Sequence, residues 1–294
     1  MKETKLKGVV SVLSAASLWA LSGISGQILF EKYHFSASWI VSVRLLIAGI
    51  ILLAFCSLRE SCWEIFKNRR DLFSLLCFAV LGMYLVQFTY FKTIELSSAS
   101  FATIIQYTGP FFIIIYEALR TRTWPRPLSL FLMVLTFLGI ILLTTKGDLS
   151  NLSIDLAALF WGVGSAVTLA FYTLQPQKLL KKYSSLCVVG WGMLLGSIPA
   201  NMFHPLFQID GVINRASLLH IAMIVVFGTA IAYLIYLSSL KYLRPALASV
   251  LTAFEPILAT ILTVVLFHQG LSISEILGLV IVLGAIYRLQ QLGI

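Results

Sequence analysis

Along this chain, apolar runs of roughly 20 residues alternate with short polar links from one end to the other. A helix needs about 20 mainly apolar residues to cross a bilayer. By that measure the pattern predicts ten spans, at residues 8–30, 36–57, 72–92, 98–119, 127–145, 154–175, 184–204, 217–240, 245–267 and 274–290. The links are too short to hold an inserted soluble domain. A Lys-rich start followed by an apolar run has the form of a signal peptide. The run is long and nine more follow, so it reads as an uncleaved first helix.

Composition points the same way. Of 294 residues, 59% are apolar and 11% charged, with mean hydropathy +0.95. A soluble domain of this length has too little interior to hide that much hydrocarbon. The net charge of +9 does not indicate nucleic acid, because the basic residues sit in short clusters between apolar runs. With the N-terminus inside, sixteen Lys and Arg fall on inner segments and four (Lys32, Lys92, Lys146 and Arg215) on outer ones. This asymmetry predicts that both termini are cytoplasmic in a multi-pass inner (cytoplasmic) membrane protein. The four histidines, His34, His204, His220 and His268, fall in or beside the outer segments. Cys56, Cys62, Cys77 and Cys187 show no metal-ligand or CxxC spacing and read as apolar or surface residues.

The two halves of the chain can be laid over each other. A shift of 146 places Gly82 on Gly228, Tyr90 on Tyr236, Ala102 on Ala248 and Pro110 on Pro256. A shift of 142 pairs Trp19 with Trp161, and one of 145 pairs LGI at 138–140 with LGA at 283–285. The domain organisation expected is thus a first repeat over 1–147 and a second over 148–294. Five helices per copy is an odd number, so the second copy enters the membrane from the opposite side. The fold class expected is an all-α membrane protein of two inverted five-helix repeats, an architecture suited to alternating access.

Several motifs carry a family resemblance: WALSG and WGVGS opening helices 1 and 6, VSVRLLIAG in helix 2 and FEPILATIL in helix 9. Together with the ten helices they resemble EamA-type transporters of the drug/metabolite transporter superfamily, over essentially the whole chain. The resemblance implies movement of small metabolites through a central cavity lined by both halves. Many members carry Gly-Glu near the ends of helices 4 and 9. Here those places read LRTRTW and LFHQGLS, which leaves the subfamily open.

Two charges lie deep in the spans. Arg44 is about eight residues into helix 2, roughly 12 Å from its outer end at ~1.5 Å per residue. It either satisfies helix ends and carbonyls or stands at a cavity wall, facing a carboxylate of Glu255 or of the substrate. Glu255 is followed by Pro256, which removes a backbone donor and clashes with the carbonyl of Thr252. Gly109-Pro110 occupies the matching place in helix 4, and breaks at corresponding sites of two halves point to a transport site. Around these charges the candidate substrate-binding residues are Trp19, Gln87, Tyr90, Gln106, Trp161 and Tyr236. Aromatic rings can hold a cation or an apolar group, and a mid-span amide needs partners that lipid lacks.

The function expected is secondary active transport, in the export direction, of small polar or amphipathic metabolites such as amino acids. The alternative is a lipid-linked flippase or a channel-like permease on the same helices. No P-loop, HExxH or clustered Asp pair is present, so neither direct ATP drive nor a membrane enzyme is expected. No cofactor or metal is expected, and a proton exchanged at Glu255 is the coupling considered. The partners are a small-molecule substrate and membrane lipid, with no nucleic acid, and a homodimer is left open.

Overall fold

The computed structural model of the chain describes residues 2–97, 99–149, 155–267 and 270–292. Among the described residues, ten helices are long and apolar enough to cross a membrane. They are helix 1 (Lys5–Tyr33), helix 2 (Ala37–Ser57), helix 3 (Arg69–Leu96), helix 4 (Phe101–Thr121), helix 5 (Pro127–Thr145), helix 6 (Leu156–Lys182), helix 7 (Ser185–Phe203), helix 8 (Arg215–Ser239), helix 9 (Pro245–Leu262) and helix 10 (Ile273–Leu292). Each overlaps a span predicted from hydropathy. The predicted first residues of spans four and six, 98 and 154, lie outside the described residues, as does His268.

Local signals set the helix ends. Ser36 caps helix 2 by accepting from the Trp39 amide at 3.1 Å, and Ser184 caps helix 7 through the Cys187 amide at 3.1 Å. Pro127 and Pro245 open helices 5 and 9, where a missing N–H costs nothing. The two ends of the chain meet: the Lys5 ammonium donates to the Gln290 carbonyl, so helices 1 and 10 bring both termini to one face.

The halves interlock. Helix 1 packs on helix 8 and helix 6 on helix 3, while helix 2 packs on helix 7, helix 5 on helix 10, and helix 4 on helix 9. A two-fold axis that exchanges the halves maps 1·8 onto 6·3 and each of the other pairings onto itself. The contact pattern is therefore that of two inverted five-helix repeats. Between helices in lipid there is little hydrophobic drive, so close approach at small residues supplies the attraction. A Cβ placed on Gly49 would fall 2.6 Å from the Leu194 backbone nitrogen, where helices 2 and 7 cross. One on Gly278 would fall 2.8 Å from the Gly139 carbonyl oxygen, where helices 10 and 5 cross.

Two departures from plain α-helix occur at matching places in the repeats. Phe78–Tyr84 in helix 3 and Met223–Ile231 in helix 8 are wound as π-helix. In helix 4, Ala99–Gln106 ends at a turn before Gly109–Thr121, and in helix 9, Pro245–Leu251 ends before Phe254. These are the breaks expected at Gly109-Pro110 and Glu255-Pro256. Both breaks are tightened by a threonine: Thr108 donates to the Ile105 carbonyl and Thr252 to the Ser249 carbonyl, each at 2.6 Å.

Candidate functional site

Arg44 reaches across from helix 2 into the π-segment of helix 8. Its Nε donates to Thr229 Oγ1 at 2.8 Å and one terminal nitrogen to the Gly228 carbonyl at 3.3 Å. A π-turn leaves backbone carbonyls less fully engaged than an α-turn, and such turns recur at functional sites. Thr229 in turn donates to the Ile224 carbonyl five residues back at 2.7 Å, following the π spacing. The Phe91 ring covers the guanidinium, its centroid 5.8 Å from Cζ. Arg44 is 6% exposed and faces the protein, not lipid.

One sequence expectation is corrected here. Glu255 does not neutralise Arg44: among the described residues no carboxylate lies within 4.0 Å of the guanidinium, and a hydroxyl, a carbonyl and a ring hold it instead. Arginine offers five N–H donors. The protein engages those on two of its three nitrogens, which leaves the remainder of the fork for another acceptor.

Glu255 belongs to a second cluster, built where the two helix breaks meet. The Tyr107 hydroxyl donates to the Thr252 carbonyl at 2.8 Å and lies 3.4 Å from Glu255 Oε2. Pro256 cannot donate to this carbonyl, which accepts the Glu255 amide at 2.8 Å and the Tyr107 hydroxyl instead. Tyr90 borders the Arg44 cluster, its ring centroid 5.6 Å from that of Phe91, which covers the guanidinium. Tyr90 is tied to helix 4 by its hydroxyl, 3.1 Å from Thr103 Oγ1.

Beside them is an aromatic group. Trp19 meets Tyr233 and Tyr236 at centroid distances of 5.3 and 5.4 Å, and Tyr172 meets the same two rings at 5.9 and 5.7 Å. The Tyr236 hydroxyl lies 3.3 Å from Thr173 Oγ1. Two polar atoms in this interior are buried and unpartnered, Trp19 Nε1 and Gln87 Oε1. Gln87 spends its amide nitrogen on the Met83 carbonyl of its own helix at 2.9 Å. Buried polar atoms are nearly always satisfied, so a free donor and a free acceptor in one interior suit a polar ligand or water.

The structure thus groups Arg44, Tyr90, Trp19, Tyr236 and Glu255, with Gln87 on the same helix as Tyr90. Gln106 is half-buried as the last residue before the helix 4 break, and its side chain makes no hydrogen bond among the described residues. Trp161 is not part of the group. It packs on Phe88 at 5.6 Å and Phe160 at 5.5 Å, in a separate stack that continues through Tyr84 and Phe203. Eleven residues of helix 6, ~16 Å at 1.5 Å per residue, separate it from Tyr172. Three participants escaped selection as site residues: Thr229, Tyr107 and Tyr233. Tyr107 and Tyr233 carried the signal of polar rings in mid-span, whereas a lone threonine carries none.

Comparison with known proteins agrees with this architecture. The EamA-like transporter family matches twice, over residues 6–145 and 156–289. The chain is 36% identical over 281 residues to the Salmonella typhimurium (strain LT2) protein named "Uncharacterized inner membrane transporter YicL", covering 95% of this chain and 94% of that one. A Clostridium kluyveri protein named as a transporter is 21% identical over 289 residues, 95% of this chain and 92% of its own. A solved crystal structure superposes with TM-score 0.80 at 17% identity, covering 99% of this chain and 98% of the other, and so shares the fold. With two matched repeats, ten spanning helices and a close relative among inner membrane transporters, the chain belongs to the EamA-like transporter family.

Proposed function

We propose that this transporter is a secondary active exporter of small amino-acid-like metabolites, working by alternating access between its two repeats and driven by proton exchange at Glu255. The observation that carries the reading is the meeting of the helix 4 and helix 9 breaks, where Tyr107 joins Glu255 and the Thr252 carbonyl across 145 residues of sequence. Paired breaks at a repeat interface are where transporters of inverted design bind their cargo.

The substrate chemistry follows from the free groups. The unused face of the Arg44 fork suits a carboxylate bound through two N–H donors. Glu255 and the rings of Trp19, Tyr233 and Tyr236 suit an ammonium with an apolar side chain. A carboxylate and an ammonium on one small molecule describe a zwitterion. In this scheme, protonation of Glu255 removes the charge that holds the ammonium, and deprotonation restores it. The basic asymmetry of the sequence supports a cytoplasmic position for both termini.

The test is transport of labelled amino acids and amines in liposomes containing the purified protein. Glu255→Gln should abolish accumulation driven by a pH gradient while substrate exchange persists. A Glu255→Gln protein that still accumulates substrate in response to the gradient would remove proton coupling at this residue.

A further inference from the structure

A polar cavity of about 240 Å³ lies outside the central site. It opens where the end of helix 4 meets the starts of helices 5 and 9 and the end of helix 10. Glu117, Trp124, Arg126, Ser129, Arg244 and Leu292 are among its walls. Leu292 ends helix 10, so the cavity belongs to the face that carries both chain termini.

Its chemistry is that of an anion site. Arg120, Arg122, Arg126 and Arg244 lie in or beside it, against one acid, Glu117. Glu117 is already engaged, its Oε2 3.2 Å from a terminal nitrogen of Arg244 and its carboxylate against the Ala246 amide. Arg126 makes no ion pair among the described residues. Ser129 supplies an independent sign. It is 2% exposed and lines the cavity, yet its hydroxyl makes no hydrogen bond among the described residues.

The surroundings say what kind of anion. Trp124 is 71% exposed beside the cavity, and Leu119, Leu128 and Phe131 continue an exposed apolar surface along helices 4 and 5. Tryptophan in that position marks the boundary between headgroups and hydrocarbon. A soluble anion would gain nothing from this wall, whereas acyl chains would lie on it. Basic pockets between helices at a membrane face are suited to anionic headgroups. We propose that this cavity binds the phosphate of an anionic glycerophospholipid, with Arg126 and the Ser129 hydroxyl as donors and Arg244 as the charge held in place by Glu117.

The experiment is thermal unfolding of the full chain in detergent micelles doped with phosphatidylglycerol, with phosphatidylcholine or with inorganic phosphate. Phosphatidylglycerol should raise Tm at about a tenfold lower mole fraction than phosphatidylcholine, and inorganic phosphate should not raise it. The Arg126→Gln, Ser129→Ala variant should need on the order of tenfold more phosphatidylglycerol, the loss expected for a charge-assisted hydrogen bond. Arg126→Gln alone changes one exposed side chain and gives the same reading should the double variant not fold. Arg59→Gln, on the same face but outside the cavity, should respond like the unmodified protein. Equal responses to the two lipids would overturn the proposal, as would an Arg59→Gln effect as large as that at Arg126. A shift with inorganic phosphate equal to that with phosphatidylglycerol would make this a soluble-anion site and overturn the lipid assignment.

Discussion

The π-segments of helices 3 and 8 are copies of one element, yet they are used differently. Each carries a glycine at the crossing with a helix of the other half, Gly82 against helix 6 and Gly228 against helix 1. One residue further on, the 146-residue shift pairs Met83 with Thr229. In helix 8, the Gly228 carbonyl and the Thr229 hydroxyl receive a charged group from helix 2. In helix 3, the Met83 carbonyl receives the amide of Gln87 from its own helix. Both copies thus have the backbone defect and its glycine, while the polar partner is a distant cation in one and a local amide in the other. The two copies share a backbone and differ in the polar groups they bring to it.

The largest expected effect comes from removing the feature that most separates the two segments. Arg44→Leu should cut transport of zwitterionic or anionic substrates by roughly 30-fold or more, the loss of about 2–5 kcal/mol expected when one member of a buried charge-assisted pair is removed. Arg44→Lys should keep the fold but raise the apparent KM about tenfold, because an ammonium cannot reproduce the planar fork. Uptake assays in liposomes read both. Normal transport by Arg44→Leu would mean that the arginine only closes the helix 8 π-turn, and the two segments would then differ in packing alone.

An intermediate effect tests the scaffold. A Cβ on Gly228 would fall 2.1 Å from Ser22 Oγ and 2.3 Å from Ser22 Cβ, so helices 1 and 8 would have to part. On Gly82 the nearest atoms would be Phe78 Cδ2 at 3.1 Å and Tyr172 Cβ at 3.3 Å, which shifts of a few tenths of an ångström relieve. Gly228→Ala should therefore destabilise by about 1–3 kcal/mol, the usual range for overpacking, and Gly82→Ala by roughly 1 kcal/mol or less. Adding Ser22→Gly to Gly228→Ala should restore most of the loss, since it moves the missing atoms to the facing helix. Equal Tm shifts for the two single variants would show that the crossings are equivalent.

The ten spans and the inverted repeat could be read in the sequence because hydropathy has a length scale set by the bilayer, and because an odd helix count fixes inversion. The π-segments could not, since one extra residue per turn leaves apolar composition unchanged. The breaks were visible as Gly109-Pro110 and Glu255-Pro256, but the bond from Tyr107 to Thr252 needs the halves docked. Repeat matching located residues but not their use. It paired Trp161 with Trp19, and both pack on the matching stretch of helices 3 and 8, but Trp19 finds the rings of Tyr233 and Tyr236 there, whereas Trp161 finds Phe88, between their matches Gln87 and Tyr90. It paired Gly139 with Gly284 as well, but the helix 5–10 crossing uses Gly278, and a Cβ on Gly284 meets nothing within 4 Å.

The smallest expected effect on stability, and the sharpest on role, is at Gln87. Its Oε1 is buried without a partner and its amide nitrogen serves only the Met83 carbonyl. Leucine at this place would relieve an unsatisfied acceptor, worth about 1–3 kcal/mol, and would lose one ordinary hydrogen bond, worth about 0.5–1.5 kcal/mol. The two terms oppose, so Gln87→Leu should leave Tm nearly unchanged or slightly raised. A structural amide and a substrate-binding amide then separate cleanly. Should the free acceptor serve the substrate, KM rises several-fold at unchanged Tm, because the ligand loses a partner that the fold never used. Unchanged KM at unchanged Tm would leave Gln87 as the helix 3 segment's own internal closure, and the ligand chemistry would rest on the helix 8 side alone.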